Sequence, residues 1–127
     1  HPAVLTDRGL GAALASMASR SPVPVTVDVT LDTRPPETIE GIAYFIVSEA
    51  LANVAKHAQA KSARVAVAQR GSRLIVEISD DGVGGASLDK GTGLRGLADR
   101  VATIDGWFHI SSPNGGPTTL TVELPCE

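Results

Sequence analysis

The chain has 127 residues, 43% of them hydrophobic and 20% charged, with 11 Lys and Arg against 14 Asp and Glu for a formal net charge of −3. That length and apolar content suit one domain with its own core, and a charge balance without basic runs excludes non-specific attraction to nucleic acid or to an anionic membrane surface. A single cysteine, Cys126, excludes an internal disulfide and a cysteine metal cluster, and fits a reducing compartment.

In chain order, the opening residues His1-Pro2-Ala3-Val4-Leu5-Thr6 do not resemble a signal peptide, and no apolar run is expected to reach bilayer-spanning length. The sequence does not begin with Met and reads as a cytoplasmic piece of a longer protein. Thr6 or Asp7 can cap a helix running to about Arg20, with Leu10, Leu14 and Met17 on one stripe. Ser21-Pro22-Val23-Pro24 stops it, so residues 1–22 are linker and first helix. Val25, Val27, Val29 and Leu31 then alternate with polar residues as a half-buried strand.

Pro35-Pro36 opens the next helix, which should run to about His57. Ala63, Val65 and Val67 mark a second strand within 62–69, and Gly71-Ser72 turns into a third from Arg73 to Ser79. A glycine-rich loop, 81–93, leads to a helix from Leu94 to about Ile104, which Asp105-Gly106 ends. Trp107 to Ser111 and Thr118 to Leu124 flank a turn at Pro113-Asn114-Gly115-Gly116 as a second hairpin. About three helices and five strands in separate layers make a two-layer α+β sandwich over 1–127.

Three segments carry chemistry. On the long helix, Ile42, Ile46, Glu49 and Asn53 fall close to one line, which places two polar groups on an inward stripe. Burying either without a partner costs at least about 1 to 3 kcal/mol. Glu49 and Asn53 therefore either bond to nearby backbone or serve a ligand: Asn53 as an oxygen ligand to Mg²⁺, Glu49 as a base or a group that orients a nucleophile. Lys56 and His57 read from position alone as a solvated helix-end cation and a helix-terminal side chain. Asp80 ends a strand and is followed by Asp81-Gly82-Val83-Gly84, which is either a simple turn or an acceptor with glycines that let backbone pass close to a flat ring. Gly91-Thr92-Gly93-Leu94 stands at a helix start, where free N–H groups and the helix dipole favour phosphate. Neither a lysine-bearing P-loop nor a βαβ dinucleotide pattern accompanies it.

Taken in order, Glu49-Ala-Leu-Ala-Asn53, Asp80-Asp81-Gly82-Val83-Gly84 and Gly91-Thr92-Gly93-Leu94-Arg95-Gly96-Leu97 resemble the GHKL (Bergerat-fold) ATPase superfamily. In detail they resemble the catalytic and ATP-binding domain of a bacterial two-component sensor histidine kinase. His1 to Leu10 look like the linker that follows the dimerisation helices in the NarL-type subfamily, and the short loop 85–90 suits that subfamily too. The resemblance implies a mixed, mainly antiparallel five-stranded sheet with nucleotide held between helices on one face. It implies Asp80 as acceptor for the adenine amine, Asn53 on Mg²⁺, Glu49 assisting transfer, and ATP contacts from Lys56, His57, Gly82, Gly84, Gly91, Thr92, Gly93, Leu94 and Thr118. Arg95 or Arg100 adds positive charge near phosphate or is simply solvated.

Asp81 stands where the family commonly has Asn, and Pro117 replaces the usual last glycine before Thr118-Thr119. None of His1, His57 and His109 lies in a His-Asp or His-Glu helical context, so the phosphoacceptor is expected on a dimerisation domain outside this chain. A response regulator follows indirectly, and the isolated domain is expected to be monomeric. An anti-sigma-type serine kinase and a degenerate interaction domain are the alternatives.

Overall fold

The computed structural model describes residues 2–88 and 93–126, apart from the Ala58 side chain. Five strands, β1 (Val25–Thr30), β2 (Ala63–Arg70), β3 (Arg73–Asp80), β4 (Trp107–Ser111) and β5 (Thr118–Pro125), form one sheet in the order β1-β2-β3-β5-β4. The β1–β2 pair is parallel and the other pairs are antiparallel. The mixed, mainly antiparallel sheet under a helical layer matches the expected two-layer α+β architecture. Alternation explains its two faces: Val65, Val67, Leu74, Val76, Ile78, Leu120, Val122 and Leu124 are buried beneath helices, while the intervening polar residues face solvent.

Against that sheet lie α1 (Ala3–Arg8), α2 (Leu10–Ser19), α3 (Glu37–Asn53) and α4 (Leu94–Thr103). The single first helix expected from the sequence is two. Gly9 sits at φ +90°, a conformation that helix excludes and glycine tolerates, and the bend lets both Leu5 and Leu10 reach the core. With four helices, the count exceeds the expected three. Expected and observed strand bounds agree within about one residue, and Asp105 at φ +59° closes α4 as its Asp-Gly sequence suggests.

The bend is held by a charged clasp. Arg34, in the β1–α3 loop, donates Nε to both carboxylate oxygens of Glu40 at 3.1 Å and Nη2 to the carbonyls of Leu5 at 2.8 Å and Thr6 at 2.9 Å. Glu40 is 1% exposed, and the Arg34 guanidinium is its ion-pair partner at 3.1 Å. Removing one partner of such a pair harms more than replacing both by apolar groups. Arg34→Ala is therefore expected to melt below Arg34→Met/Glu40→Leu in calorimetric scans; a single variant that melts as high as the double would show that the clasp does not hold α1.

Pro36 precedes α3 with an extended backbone, and Glu37 and Glu40 occupy its first turn. The helix continues through a π turn, Val54–Ala58, that ends on Gln59 in the left-handed region at φ +52°. Glu37–His57 spans 21 residues with a mean hydropathy of 1.2, so by length and composition one helix passes as a membrane span, contrary to expectation. Its buried residues, Ile39, Ala43, Ile46, Val47, Ala50 and Leu51, belong to the shared core.

Candidate functional site

A pocket of about 280 Å³ opens between the end of α3, the start of α4 and the ends of β3 and β5. Ala50, Val54, Ile78, Leu94, Ile110 and Leu120 form apolar walls, and Asp80, Asn53, His57 and Thr118 supply polar atoms. Asp80 is 7% exposed and pairs in register with Thr118, so both side chains lie on the same face at the helical end of the sheet. Its Oδ1 accepts from the Gly82 N–H at 2.8 Å. Burial pushes the Asp80 carboxyl above the ordinary carboxylate range; the Gly82 N–H opposes this and the Asp81 charge adds to it.

Asp81 points elsewhere. Its carboxylate accepts from the N–H groups of Lys61 and Ser62 and from the Ser62 hydroxyl at 2.8 to 3.0 Å, which holds it below the ordinary range. This residue ties the entry of β2 to the exit of β3 and lies outside the pocket lining.

Gly84 serves packing in the first instance. Gly84, at φ +71°, lies against the β4–β5 turn so closely that a Cβ would collide with the Pro113 carbonyl and with Gly116 N and Cα, all within 3.0 Å. Gly116 meets the Gly82 carbonyl the same way. The seam is bonded by Gly115 N to Val83 O at 2.7 Å and Gly85 N to Ser112 O at 3.0 Å. The Asp-Gly segment is thus no hairpin turn; it crosses to the second hairpin and becomes one wall of the pocket. Gly84 lines that wall, whereas Gly82 contributes the N–H that fixes Asp80.

On the α3 side, the structure separates two residues expected to share an inward stripe. Asn53 and His57 line the pocket, while Glu49 and Lys56 are exposed and line none of it. Four residues overshoot a helical turn by about 40°, so the pocket-facing line runs through Ala50, Asn53 and His57 and leaves Glu49 on its edge. The buried carboxylate of α3 is Glu40, which belongs to the clasp. Leu94 lines the pocket behind Gly93, the α4 N-cap at φ +83°, and the first turn carries neither a side-chain cap nor an acidic residue. Gly91 and Thr92 lie outside the described residues. Arg100 stacks over the Phe45 ring at 4.2 Å from its centroid, in a different hollow from this pocket.

Sequence reasoning missed Gly85, Ala86 and Ser112. Ala86 N–H donates to Ser112 Oγ at 2.9 Å, and Ser112 Oγ lies 2.6 Å from Thr118 Oγ1. The expected hairpin already brought 112 close to 118, but no periodicity signals a loop that folds over it.

Among the described residues no three acidic, histidine or cysteine side chains cluster for a metal. One amide oxygen from Asn53 suits a magnesium ion that arrives with its own phosphate and water ligands, and does not suit a free-standing ion. An apolar slot with a buried carboxylate in its lining and the start of a helix beside it can take a flat ring that carries a donor and an anionic group.

Comparison with known proteins agrees with this geometry. Residues 38–127 match the family described as histidine kinase-, DNA gyrase B-, and HSP90-like ATPase. The sensor histidine kinase NarS of Mycobacterium tuberculosis is 34% identical over 137 aligned positions, covering 98% of this chain and 31% of NarS. DesK of Bacillus subtilis, also a sensor histidine kinase, is 38% identical over 89, covering 68% of this chain and 24% of DesK. This chain thus spans a third or less of either relative. The blue-light activated histidine kinase EL346 of Erythrobacter litoralis shares the fold with a TM-score of 0.75 at 23% identity, covering 92% of this chain and 42% of that one. The mycobacterial sensor histidine kinase MprB shares it at 0.61 and 18% identity, with 91% of each covered. Family match and sheet order agree: the chain belongs to the histidine kinase-, DNA gyrase B- and HSP90-like ATPases, and both relatives named above, NarS and DesK, are sensor histidine kinases.

Proposed function

We propose that this chain is the ATP-binding catalytic domain of a sensor histidine kinase, which binds Mg-ATP and transfers the γ-phosphoryl group to a histidine outside these 127 residues. The observation that carries the reading is Asp80, a buried carboxylate at the closed end of an apolar pocket whose own chain satisfies it with one N–H. An oxygen left facing such a slot selects a donor on a flat ring. Adenine has that donor beside its N1 acceptor.

Asn53, on the pocket rim, would hold the magnesium ion, which offsets phosphate charge when bound. The remaining work is positioning. The first-turn amides of α4 receive phosphate oxygens, and His57, also on the rim, meets the phosphates or sugar. Lys56, exposed at the helix end, contributes charge at longer range. Glu49 is open to an acceptor that comes from outside, and it orients the incoming imidazole or takes its proton while the nucleophilic nitrogen bonds to the γ-phosphorus and ADP leaves. The acceptor belongs to the dimerisation domain of the parent protein in the cytoplasm, and a response regulator receives the phosphoryl group afterwards.

Calorimetric titration tests the reading. The native chain is expected to bind ADP without Mg²⁺ and to bind ATP more tightly with it; no heat from either nucleotide would reject an ATP site. Asn53→Ala is expected to lose about tenfold in Mg-ATP affinity and to hold Mg²⁺-free ADP within about twofold. Equal Mg-ATP affinity in the two chains would remove Asn53 as the ligand.

A further inference from the structure

We infer that Ser112, which lines no part of the pocket, is a positioning residue that sets the hydrogen-bond direction of Thr118 and so makes the site read the N1 acceptor of adenine. The inference rests on the adenine reading above and extends it to a residue outside the binding surface.

The protons can be counted. Ser112 Oγ accepts from the Ala86 N–H at 2.9 Å, a donor that cannot reverse. The same oxygen is 2.6 Å from Thr118 Oγ1, a pair in which either hydroxyl could donate. If Thr118 donates, both Ser112 lone pairs are taken and the Ser112 proton has no recorded acceptor. If Ser112 donates, the proton left over is that of Thr118, the one of the two hydroxyls that lines the pocket, where a ligand atom can accept it. Ala86 N–H gives to Ser112, Ser112 gives to Thr118, and the Thr118 hydroxyl hydrogen is left for the pocket that Thr118 lines. Donors aligned head to tail polarise one another, which strengthens the last one.

That last donor stands beside an acceptor. Asp80 and Thr118 are register partners on adjacent strands, so the pocket end offers a carboxylate oxygen next to a hydroxyl hydrogen. Adenine presents the converse pair, the 6-amine donor next to N1. Thr118 reaches N1 directly or through one water. Ser112 also accepts Gly85 N–H on its carbonyl at 3.0 Å, so one residue holds the loop wall in place and orients the hydroxyl opposite it.

The test compares ADP with 1-deaza-ADP, in which a C–H replaces N1, by calorimetry on the native chain, Ser112→Ala, Ser112→Thr and Thr118→Val. The native chain is expected to prefer ADP about tenfold. The preference falls to twofold or less in Ser112→Ala and Thr118→Val and is retained in Ser112→Thr. Should Ser112→Ala fail to fold, Ser112→Cys keeps the volume, weakens the donor and must also lower the ratio. Equal affinity of the native chain for the two ligands overturns the inference while leaving the ATP site standing. So does a Ser112→Ala variant that weakens both ligands by one factor, which would make Ser112 a loop anchor only. Absence of ADP binding by the native chain overturns the ATP reading itself.

Discussion

Asp80→Asn is expected to bind ADP at least about 100-fold more weakly than the native chain and yet, at pH 7, to melt at the same or a higher temperature. Asn retains an oxygen for the Gly82 N–H but puts an NH₂ in place of the second oxygen of a side chain that lines the pocket. Two donors then face each other. A hydrogen bond to a charged group is worth about 1.5 to 3 kcal/mol, and the unmatched donors add to the loss.

The stability side follows from the raised pKa of Asp80. A carboxyl that ionises later in the folded chain than in the unfolded one means that the native state binds more protons between the two values. Stability relative to the Asn variant is therefore greatest below the unfolded carboxylate value of about 4, and declines as pH rises through the raised native one. The melting temperature of Asp80→Asn minus that of the native chain should widen from pH 4 to pH 7. A gap that narrows over that range would contradict desolvation as the cause, and native-like ADP affinity in the variant would remove Asp80 from the adenine site.

Gly84→Ala is the second large effect. Its Cβ would meet backbone only, the Pro113 carbonyl and Gly116, and no side chain there can swing away. The seam between the Asp-Gly loop and the β4–β5 turn has to open, at a cost on the order of 3 kcal/mol and a fall in Tm on the order of 10 °C. Gly71 provides the contrast. It too has positive φ, at +59°, but open space surrounds its missing Cβ, so Gly71→Ala should cost only the left-handed penalty of about 1 kcal/mol. ADP affinity should fall more than tenfold in Gly84→Ala and stay native in Gly71→Ala. Similar melting points for the two variants would show that the seam yields without cost.

Much of this molecule could be read along the chain. Alternation at Val65 and Val67 or Leu74, Val76 and Ile78 records one buried sheet face, and the Asp105-Gly106 stop marks a backbone that must turn left-handed; both are local physics with a short period. Asp80, Asn53 and Thr118, which the fold brings to one pocket, stand out in the sequence because their types and spacing match a known pattern. What escaped depends on contacts between distant segments. Gly9 reads as a tolerated helix residue until Arg34, twenty-five positions on, fixes the bend. Glu49 reads as inward because four residues nearly complete a turn, and the remaining 40° decides whether it meets ligand or water. The glycines of the Asp-Gly loop suggest approach to a ring, while Gly84 lies tight against the backbone of Pro113 and Gly116.

The Arg34 clasp has a consequence for drift in the sequence. Its guanidinium grips the main-chain oxygens of Leu5 and Thr6, atoms that every amino acid carries. Apart from Leu5 and Val4, which pack in and against the core, the letters of α1 can change without altering the carbonyls that Arg34 holds. The number of residues cannot: an insertion or deletion between Leu5 and Gly9 would present different carbonyls to Arg34. The joint is therefore indifferent to spelling and strict about counting.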